Sequence, residues 1–305
     1  MNVLLVGEIA SPNLGDQAIF ATLRYLLQSR GCRVTGFDLS RYERIAPTDG
    51  LPGCRQLSGK TSVSSRLKGR LLKVVNVLPN DMQKWVVFLT KKRADFLHRK
   101  AWQSYMRQFD LVVFGGGALL MDNNWSFPLA LHNLSRSVRA VHGRYVCIGC
   151  STGRHFSKRG RRWLKEFLDH AEYISLRDSN SMEGLHRIGD YDAEVHVDSA
   201  LITAALMPDL AVPDPHVLGL NIMSPVRHPT LTPKLYGSYL DEMASVIELV
   251  STDKSNHWNR IVLFTTGAER EHAAASALVE RPQVRSAGIK VELVEAPGCL
   301  EELCT

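Results

Sequence analysis

The sequence predicts an α/β protein of two Rossmann-like domains, each built on a doubly wound parallel sheet. Short apolar runs alternate with helical periodicity along the chain, a pattern typical of βαβ units. A proline-rich stretch at 207–215 separates two such series. At 305 residues the chain also exceeds the length at which one hydrophobic core usually stops growing. We therefore expect one domain at 1–206 and a second at 207–305, with a cleft between them.

Six strands are predicted in the first domain and three in the second. In the first domain they lie near 2–6, 32–38, 110–114, 144–149, 172–176 and 194–198. In the second they lie near 217–222, 260–266 and 289–294. Aliphatic and β-branched residues dominate these runs, as expected for parallel strands that are buried on both faces. Because only three strands remain for its sheet, the second domain is expected to be incomplete.

A polar loop follows the first strand and leads into a helix. It reads Asn-Leu-Gly-Asp-Gln-Ala-Ile, beginning at Asn13. Asn13 suits the N-cap position, and Asp16 three residues later resembles the acid of a capping box. The free N–H groups and positive dipole of such a helix start favour a bound anion. Alternatively, Asn13 and Asp16 only cap the helix, and both interpretations remain open.

Three consecutive glycines, 115–117, follow the third predicted strand. Glycine permits positive φ angles and lets the backbone approach a ligand closely, so the triplet is a candidate anion site. Tight packing of a strand against a helix also requires glycine, which is the alternative. We expect a helix to begin after Gly117. The run does not match the G-x-G-x-x-G fingerprint, which argues against a dinucleotide site.

Arg177 is predicted to lie at the carboxyl end of the fifth strand, where open α/β sheets bind ligands. A guanidinium group can hold a carboxylate or a phosphate through two parallel hydrogen bonds. The alternative is a surface arginine that is paired with Asp178 or another acid. Asp178 or Ser179 is expected to cap the helix that follows.

Taken in order, these motifs resemble those of the polysaccharide pyruvyl transferase family. The motifs that carry the resemblance are N-x-G-D-x-A-I from Asn13, D-L-V-V-F-G-G-G up to Gly117, and I-S-L-R-D-S-N-S around Arg177. The stretches 145–153 and 195–201 match two further family strands, although Ser199 stands where the family usually has proline. The resemblance covers roughly residues 1–205.

This resemblance implies a glycosyltransferase-B-like architecture and a transferase. The family moves a pyruvyl group from phosphoenolpyruvate to a sugar of an exopolysaccharide or a cell-wall glycan, closing a ketal and releasing phosphate. Neither a cofactor nor a metal ion is expected. The expected donor-binding residues are Asn13, Gly15, Gly116, Gly117 and Arg177. Asp16 is the expected catalytic carboxylate, and His155, in a turn after the fourth strand, is a further expected substrate contact.

The resemblance has one departure. The family carries an R-x-H motif on a late strand of its second domain, and we expect residues 206–305 to lack it. The chain would then be either a fragment or a shortened relative. Two alternatives to the pyruvyl transferase therefore stay open. One is a nucleotide-sugar glycosyltransferase of the same architecture, and the other is a non-catalytic remnant that binds anions.

The positive charge of the chain is concentrated in one segment. The formal net charge is +6, yet residues 54–107 hold thirteen Lys or Arg and only two Asp. Basic and apolar residues interleave there at helical spacing, which favours a basic helical insertion that binds an anionic membrane surface. A solvated insertion that packs on its own domain is the alternative. No zinc-finger, RRM or helix-turn-helix pattern indicates a nucleic-acid partner.

The remaining features favour a cytoplasmic protein that is peripheral at the inner face of the membrane. The first residues lack the basic and apolar regions of a signal peptide, and no apolar run is long enough to span a bilayer. Cys147 and Cys150 form a C-x-x-C sequence without a second pair, so we expect free, buried thiols and no zinc site.

Overall fold

The computed structural model describes most of the chain, in two compact units. The described residues are 1–9, 11, 13–39, 80–122, 125–206, 214–223, 233–253, 255, 257–265 and 269–294. The first unit comprises Met1–Ser11 and Gly15–Met207. The second comprises Pro12–Leu14 and Pro208–Thr305.

The first unit contains a six-stranded parallel sheet. Its strands are β1 (Asn2–Gly7), β2 (Arg33–Asp38), β3 (Leu111–Leu120), β4 (Tyr145–Thr152), β5 (Ile174–Leu176) and β6 (Glu194–Val195). Their order across the sheet is β2-β1-β3-β4-β5-β6, with every neighbouring pair parallel. The chain leaves β1 towards one edge of the sheet and β3 towards the other. The sheet therefore has its topological switch point between β1 and β3.

Helices cover both faces of this sheet. They are α1 (Leu14–Ser29), α2 (Asn80–Met106), α3 (Ser126–Arg139), α4 (Lys158–Leu168) and α5 (Asn180–Ile188), followed by a 3₁₀ segment, Ser199–Leu206. Successive side chains of a strand point to opposite faces. Val3 and Leu5 of β1 accordingly belong to one core cluster, with residues of α1. Leu4 and Val6 belong to a second cluster, with residues of α2 to α5. This arrangement confirms a doubly wound sheet.

The second unit contains a three-stranded parallel sheet. Its strands, in order across the sheet, are β7 (Val217–Asn221), β8 (Arg260–Phe264) and β9 (Lys290–Leu293). Its helices are α6 (Pro233–Thr252), α7 (Glu269–Val279) and α8 (Pro282–Arg285). Ile261 and Leu263 of β8 pack with apolar residues of these helices in one core cluster. All nine predicted strands are confirmed, with ends that shift by a few residues.

One predicted feature is wrong: no helix begins after Gly117. β3 continues through the glycines to Leu120, because β4 is long enough to pair with it as far as Thr152. The register shifts between Gly117 and Leu120, and α3 begins only at Ser126. The glycines allow α1 to lie directly on β3. A Cβ atom at Gly116 would stand 1.9 Å from Cγ2 of Ile19, so the packing interpretation of the triplet is confirmed.

The basic segment is described in its second half only. Residues 80–106 form α2, whose inner side contributes Ala94, Trp102 and Met106 to the core. Residues 54–79 lie outside the described part of the chain. Among the helices that the structure describes, none combines the length and the hydrophobicity needed to cross a bilayer.

Candidate active site

A narrow depression lies at the switch point of the first sheet. It is lined by Glu8, which follows β1, by residues of the first turns of α1 and by the glycines of β3. The full lining is Glu8, Asp16, Ile19, Phe20, Gly115, Gly116 and Gly117. The carboxyl edge of an open parallel sheet at its switch point is where α/β proteins bind their ligands. The depression is therefore the candidate site.

Asp16 is fixed in this depression by its neighbours. It lies in the first turn of α1, and its Oδ2 accepts a hydrogen bond of 2.8 Å from the hydroxyl of Ser11. Ser11 is held in turn, since its carbonyl accepts a 3.0 Å bond from Nε2 of the buried Gln17. A Cβ atom at Gly117 would lie 3.4 Å from Oδ1 of Asp16. The fold thus brings together three of the predicted site residues, Asp16, Gly116 and Gly117.

The surroundings of Asp16 act on its pKa in opposite directions. Burial raises the pKa above its ordinary value, and the negative charge of Asp198 adds to this effect. The hydrogen bond from Ser11 and the positive charge of Arg177 favour the ionised form and lower the pKa. The net shift is upward, which is the direction expected for a carboxylate that exchanges protons near neutral pH.

Glu8 is a site residue that the sequence did not reveal. It directly follows the glycine that ends β1 and lines the depression with Asp16. Burial, followed by the charges of Asp16 and Asp38, raises the pKa of Glu8 to about 7. The signal available in the sequence was an acid at the carboxyl end of the first strand. Its raised pKa depends on residues of α1 and β2 and has no local signature.

Arg177 follows β5 and is already paired in the free protein. Its Nη1 lies 3.0 Å from Oδ2 of Asp198, and its Nε lies 3.7 Å from Oδ2 of Asp178. The pairing that we considered as an alternative is therefore confirmed. The side chain keeps 29% of its surface exposed and acts on Asp16, although Arg177 is not part of the lining of the depression.

The acids around Arg177 also shape the backbone. Oδ1 of Asp178 accepts a 2.8 Å hydrogen bond from the amide of Ser181, so Asp178 is the predicted cap of α5. Oδ1 of Asp198 accepts a 2.9 Å bond from the amide of Ala200, at the start of the 3₁₀ segment. Each acid thus binds Arg177 with one oxygen and a helix start with the other, which fixes the position of the guanidinium group.

The other predicted residues fall in different places. Asn13 immediately precedes α1 and Gly15 lies in its first turn, so the predicted helix start is confirmed. His155 is exposed in the loop between β4 and α4 and does not line the depression. The expectation that 206–305 lack an R-x-H sequence is wrong as stated. Arg270–His272 have this sequence, although it lies at the start of α7 and not on a strand.

Metal and thiol chemistry have little support in the described residues. No group of three or more His, Cys, Asp or Glu side chains is arranged there to hold a metal ion. Cys147 and Cys150 are buried and free, as predicted, with their sulfur atoms 3.5 Å apart. The contact with Cys150, followed by burial, raises the pKa of Cys147, which makes that thiol unreactive.

The arrangement suits an anionic substrate and proton transfer. A helix start and a cationic side chain favour an anion, and two partly buried carboxyl groups can exchange protons with it. No curated protein matched the chain at a significant level. A family model described as polysaccharide pyruvyl transferase matches residues 13–271. Because this match spans most of the sequence, the chain belongs to the polysaccharide pyruvyl transferase family.

Proposed function

We propose that this chain transfers a pyruvyl group from phosphoenolpyruvate to two hydroxyl groups of a saccharide in an exopolysaccharide or a cell-wall glycan. The products are a cyclic ketal and inorganic phosphate. The observation that carries the proposal is the depression at the switch point, where Asp16 of the family-like motif meets the glycines of β3. Family membership supports the reaction class.

Phosphoenolpyruvate carries a carboxylate and a phosphate, so its binding requires a positive potential beside the two acids. The start of α1 supplies N–H groups next to Asp16, and Arg177 supplies a planar cation at the same edge of the sheet. In the free protein Asp178 and Asp198 neutralise Arg177. An anionic group of the donor takes the place of one of them, so binding exchanges one ion pair for another.

Replacing Arg177 with lysine should weaken phosphoenolpyruvate binding by roughly 10- to 100-fold, because a point charge replaces a planar donor of paired hydrogen bonds. Titration calorimetry with phosphoenolpyruvate measures this effect. The matched control is Arg144→Lys. Arg144 precedes β4 at the amino edge of the same sheet and pairs with Glu172, so its replacement should leave the affinity unchanged.

The outcomes of this titration separate the alternatives. Unchanged affinity in Arg177→Lys would remove Arg177 from the donor site. If the unaltered chain bound a nucleotide sugar and not phosphoenolpyruvate, the glycosyltransferase alternative would replace the present proposal. If it bound phosphoenolpyruvate but released no phosphate with any acceptor, the anion-binding remnant would be favoured.

We further propose that the outer face of α2 rests on an anionic membrane surface, at the inner face of the membrane, and that the acceptor is a lipid-linked saccharide. Opposite its buried side, α2 exposes an apolar stripe of Met82, Trp85, Leu89, Phe96 and Leu97. Phe96 is the most exposed of these, at 84%. Lys92, Arg93 and Lys100 are exposed beside the stripe. Cations that flank exposed apolar side chains match an anionic lipid surface.

Ring contacts place one end of this stripe at the edge of the sheet that holds the depression. The centroid of Trp85 lies 6.2 Å from that of Trp125, which follows the carboxyl end of β3. The guanidinium group of Arg159, at the start of α4, lies 4.8 Å from the Trp85 ring centroid. A membrane against α2 would therefore lie beside the edge at which the acceptor must enter.

Vesicle sedimentation tests the membrane proposal. The chain should sediment with vesicles that contain phosphatidylserine at low salt, and Lys92→Glu with Arg93→Glu should release it. Each cation near such a surface contributes on the order of 1 kcal/mol, so binding should also fall steeply as salt rises. Arg30→Glu with Arg33→Glu makes the same charge change on exposed residues away from α2 and should retain binding. If the unaltered chain stays in the supernatant, the acceptor is a soluble saccharide.

A further inference from the structure

Glu8 is the second carboxyl group of the depression, beside Asp16. The proposed reaction requires a proton donor in addition to the base. The rest of the lining is Asp16, the apolar side chains of Ile19 and Phe20, and Gly115–Gly117 of β3. A substrate group that reaches the depression therefore meets both acids. Asp16 is the carboxylate assigned to the acceptor hydroxyl, and the donor carbon still requires a source of a proton.

We propose that Glu8 is the general acid of pyruvyl transfer, donating the proton that turns the methylene carbon of phosphoenolpyruvate into a methyl group, while Asp16 accepts the proton of the attacking hydroxyl. This inference rests on the proposed function. It assigns the role to a residue of the first unit alone, and it needs neither a metal ion nor a cofactor.

The protons and electrons of the cycle balance with this pair. The electron pair of the enol double bond forms a C–H bond with the proton of Glu8, and the first acceptor hydroxyl bonds to the neighbouring carbon as Asp16 takes its proton. The bond from that carbon to the phosphate oxygen then breaks, and phosphate leaves with the electron pair. The second hydroxyl bonds to the same carbon and returns a proton to Glu8. The proton on Asp16 passes to phosphate, which restores both acids.

The environments of the two acids favour these roles. Glu8 is faced by Asp16 from α1 and by Asp38 from the end of β2, and both charges oppose its ionisation, as burial does. With a pKa of about 7, a large fraction of Glu8 is protonated at neutral pH. Asp16 differs because the Ser11 hydroxyl and Arg177 favour its carboxylate form. Two carboxyl groups whose surroundings separate their pKa values are typical of an acid and base pair.

Calorimetry of phosphoenolpyruvate binding tests the inference without an acceptor. At pH 8, titrations in Tris and in HEPES, which differ in ionisation enthalpy, measure the protons taken up on binding. The unaltered chain should take up close to one proton, because the anionic donor raises the pKa of Glu8 further. Glu8→Gln should bind phosphoenolpyruvate within about threefold of the original affinity and lose most of that uptake.

A second measurement follows phosphate release with phosphoenolpyruvate and a panel of p-nitrophenyl hexopyranosides. In the unaltered chain kcat/KM for phosphoenolpyruvate should fall as pH rises through about 7, since Glu8 of the free protein then loses its proton. Glu8→Gln should reduce kcat by about 100-fold or more and remove this fall of the pH profile. Glu8→Asp, which keeps a carboxyl group, should retain part of the turnover and part of the pH dependence. The control is Asp38→Asn, which faces Glu8 outside the lining. It should retain turnover and move the fall to lower pH.

The results distinguish this inference from the function on which it rests. Failure of the unaltered chain to bind phosphoenolpyruvate would overturn the proposed function itself. Binding with the same proton uptake in Glu8→Gln would overturn the role of Glu8 alone, as would a kcat/KM profile that still falls through pH 7 in that variant. If no glycoside of the panel is an acceptor, the proton uptake decides.

Discussion

Replacement of Asp16 by asparagine should reduce phosphate release by about 10²- to 10⁴-fold, the usual contribution of a general base. Thermal unfolding should stay close to that of the unaltered chain. Asparagine keeps an oxygen that can accept the Ser11 hydrogen bond, and it removes a carboxyl group whose charged form is disfavoured by burial. Phosphate release and melting temperature, measured on the same preparation, test both statements. Comparable losses of activity and stability would favour a purely structural, capping role.

Ser11→Ala is the companion variant for this experiment. It leaves the Asp16 carboxyl group in place and removes the hydrogen bond that lowers the pKa of Asp16. The base should then require a higher pH to ionise, so the rise of kcat on the acidic side of the profile should move to higher pH. Activity lost on the acidic side should return as the pH rises, whereas Asp16→Asn should stay inactive across the profile.

Gly116→Ala should destabilise the first unit by about 2–5 kcal/mol, because the strain of an alanine at positive φ adds to an overpacked contact. Gly116 has a φ angle of +73°, and its new Cβ atom would stand 1.9 Å from Cγ2 of Ile19. The midpoint of urea unfolding measures this loss of stability. Glycine at this position is therefore required by the packing of α1 on β3.

The control for this variant is Gly31→Ala. Gly31 has a similar φ angle of +77°, but a Cβ atom there would have no neighbour within 4 Å. Only the backbone strain remains, which costs about 1 kcal/mol. Equal unfolding midpoints for the two variants would show that α1 can shift away from β3. In that case, adding Ile19→Ala to Gly116→Ala should restore little stability. If α1 is held rigidly on β3, the same addition should recover part of the lost stability, because it removes the clashing side chain.

The sequence predicted those parts of the fold that have local signals. Each strand is a short apolar run between helical segments, and the start of α1 is marked by a polar loop. The course of β3 was mispredicted because glycine is read locally as a turn. The glycines are needed because Ile19 of α1 packs against Gly116 of β3, a contact between two elements that are distant in the sequence. The start of α3 had a local signal, since Pro128 lies in its first turn.

The same distinction applies to the site. Asp16 and Gly117 were both expected in the site, because each follows a predicted parallel strand and ligands bind at the carboxyl ends of such strands. The raised pKa of Glu8 depends on burial and on two acids from other elements, which no local pattern contains. The contacts of Arg177 include one that the sequence suggested and one that it did not. Its pairing with the adjacent Asp178 was an open alternative from the sequence, but its closer contact is with Asp198.

The strand order has a consequence for how the protein folds. β1 pairs with β3, and the pair Val3 and Leu111 joins positions more than a hundred residues apart. During synthesis Glu8 leaves the ribosome early, but the glycines that complete its depression follow much later. Closing such a long loop costs entropy before any contact is gained, and non-local parallel pairing is intrinsically slow. A nascent chain therefore lacks this depression, which we propose as the donor site, until β3 has joined β1.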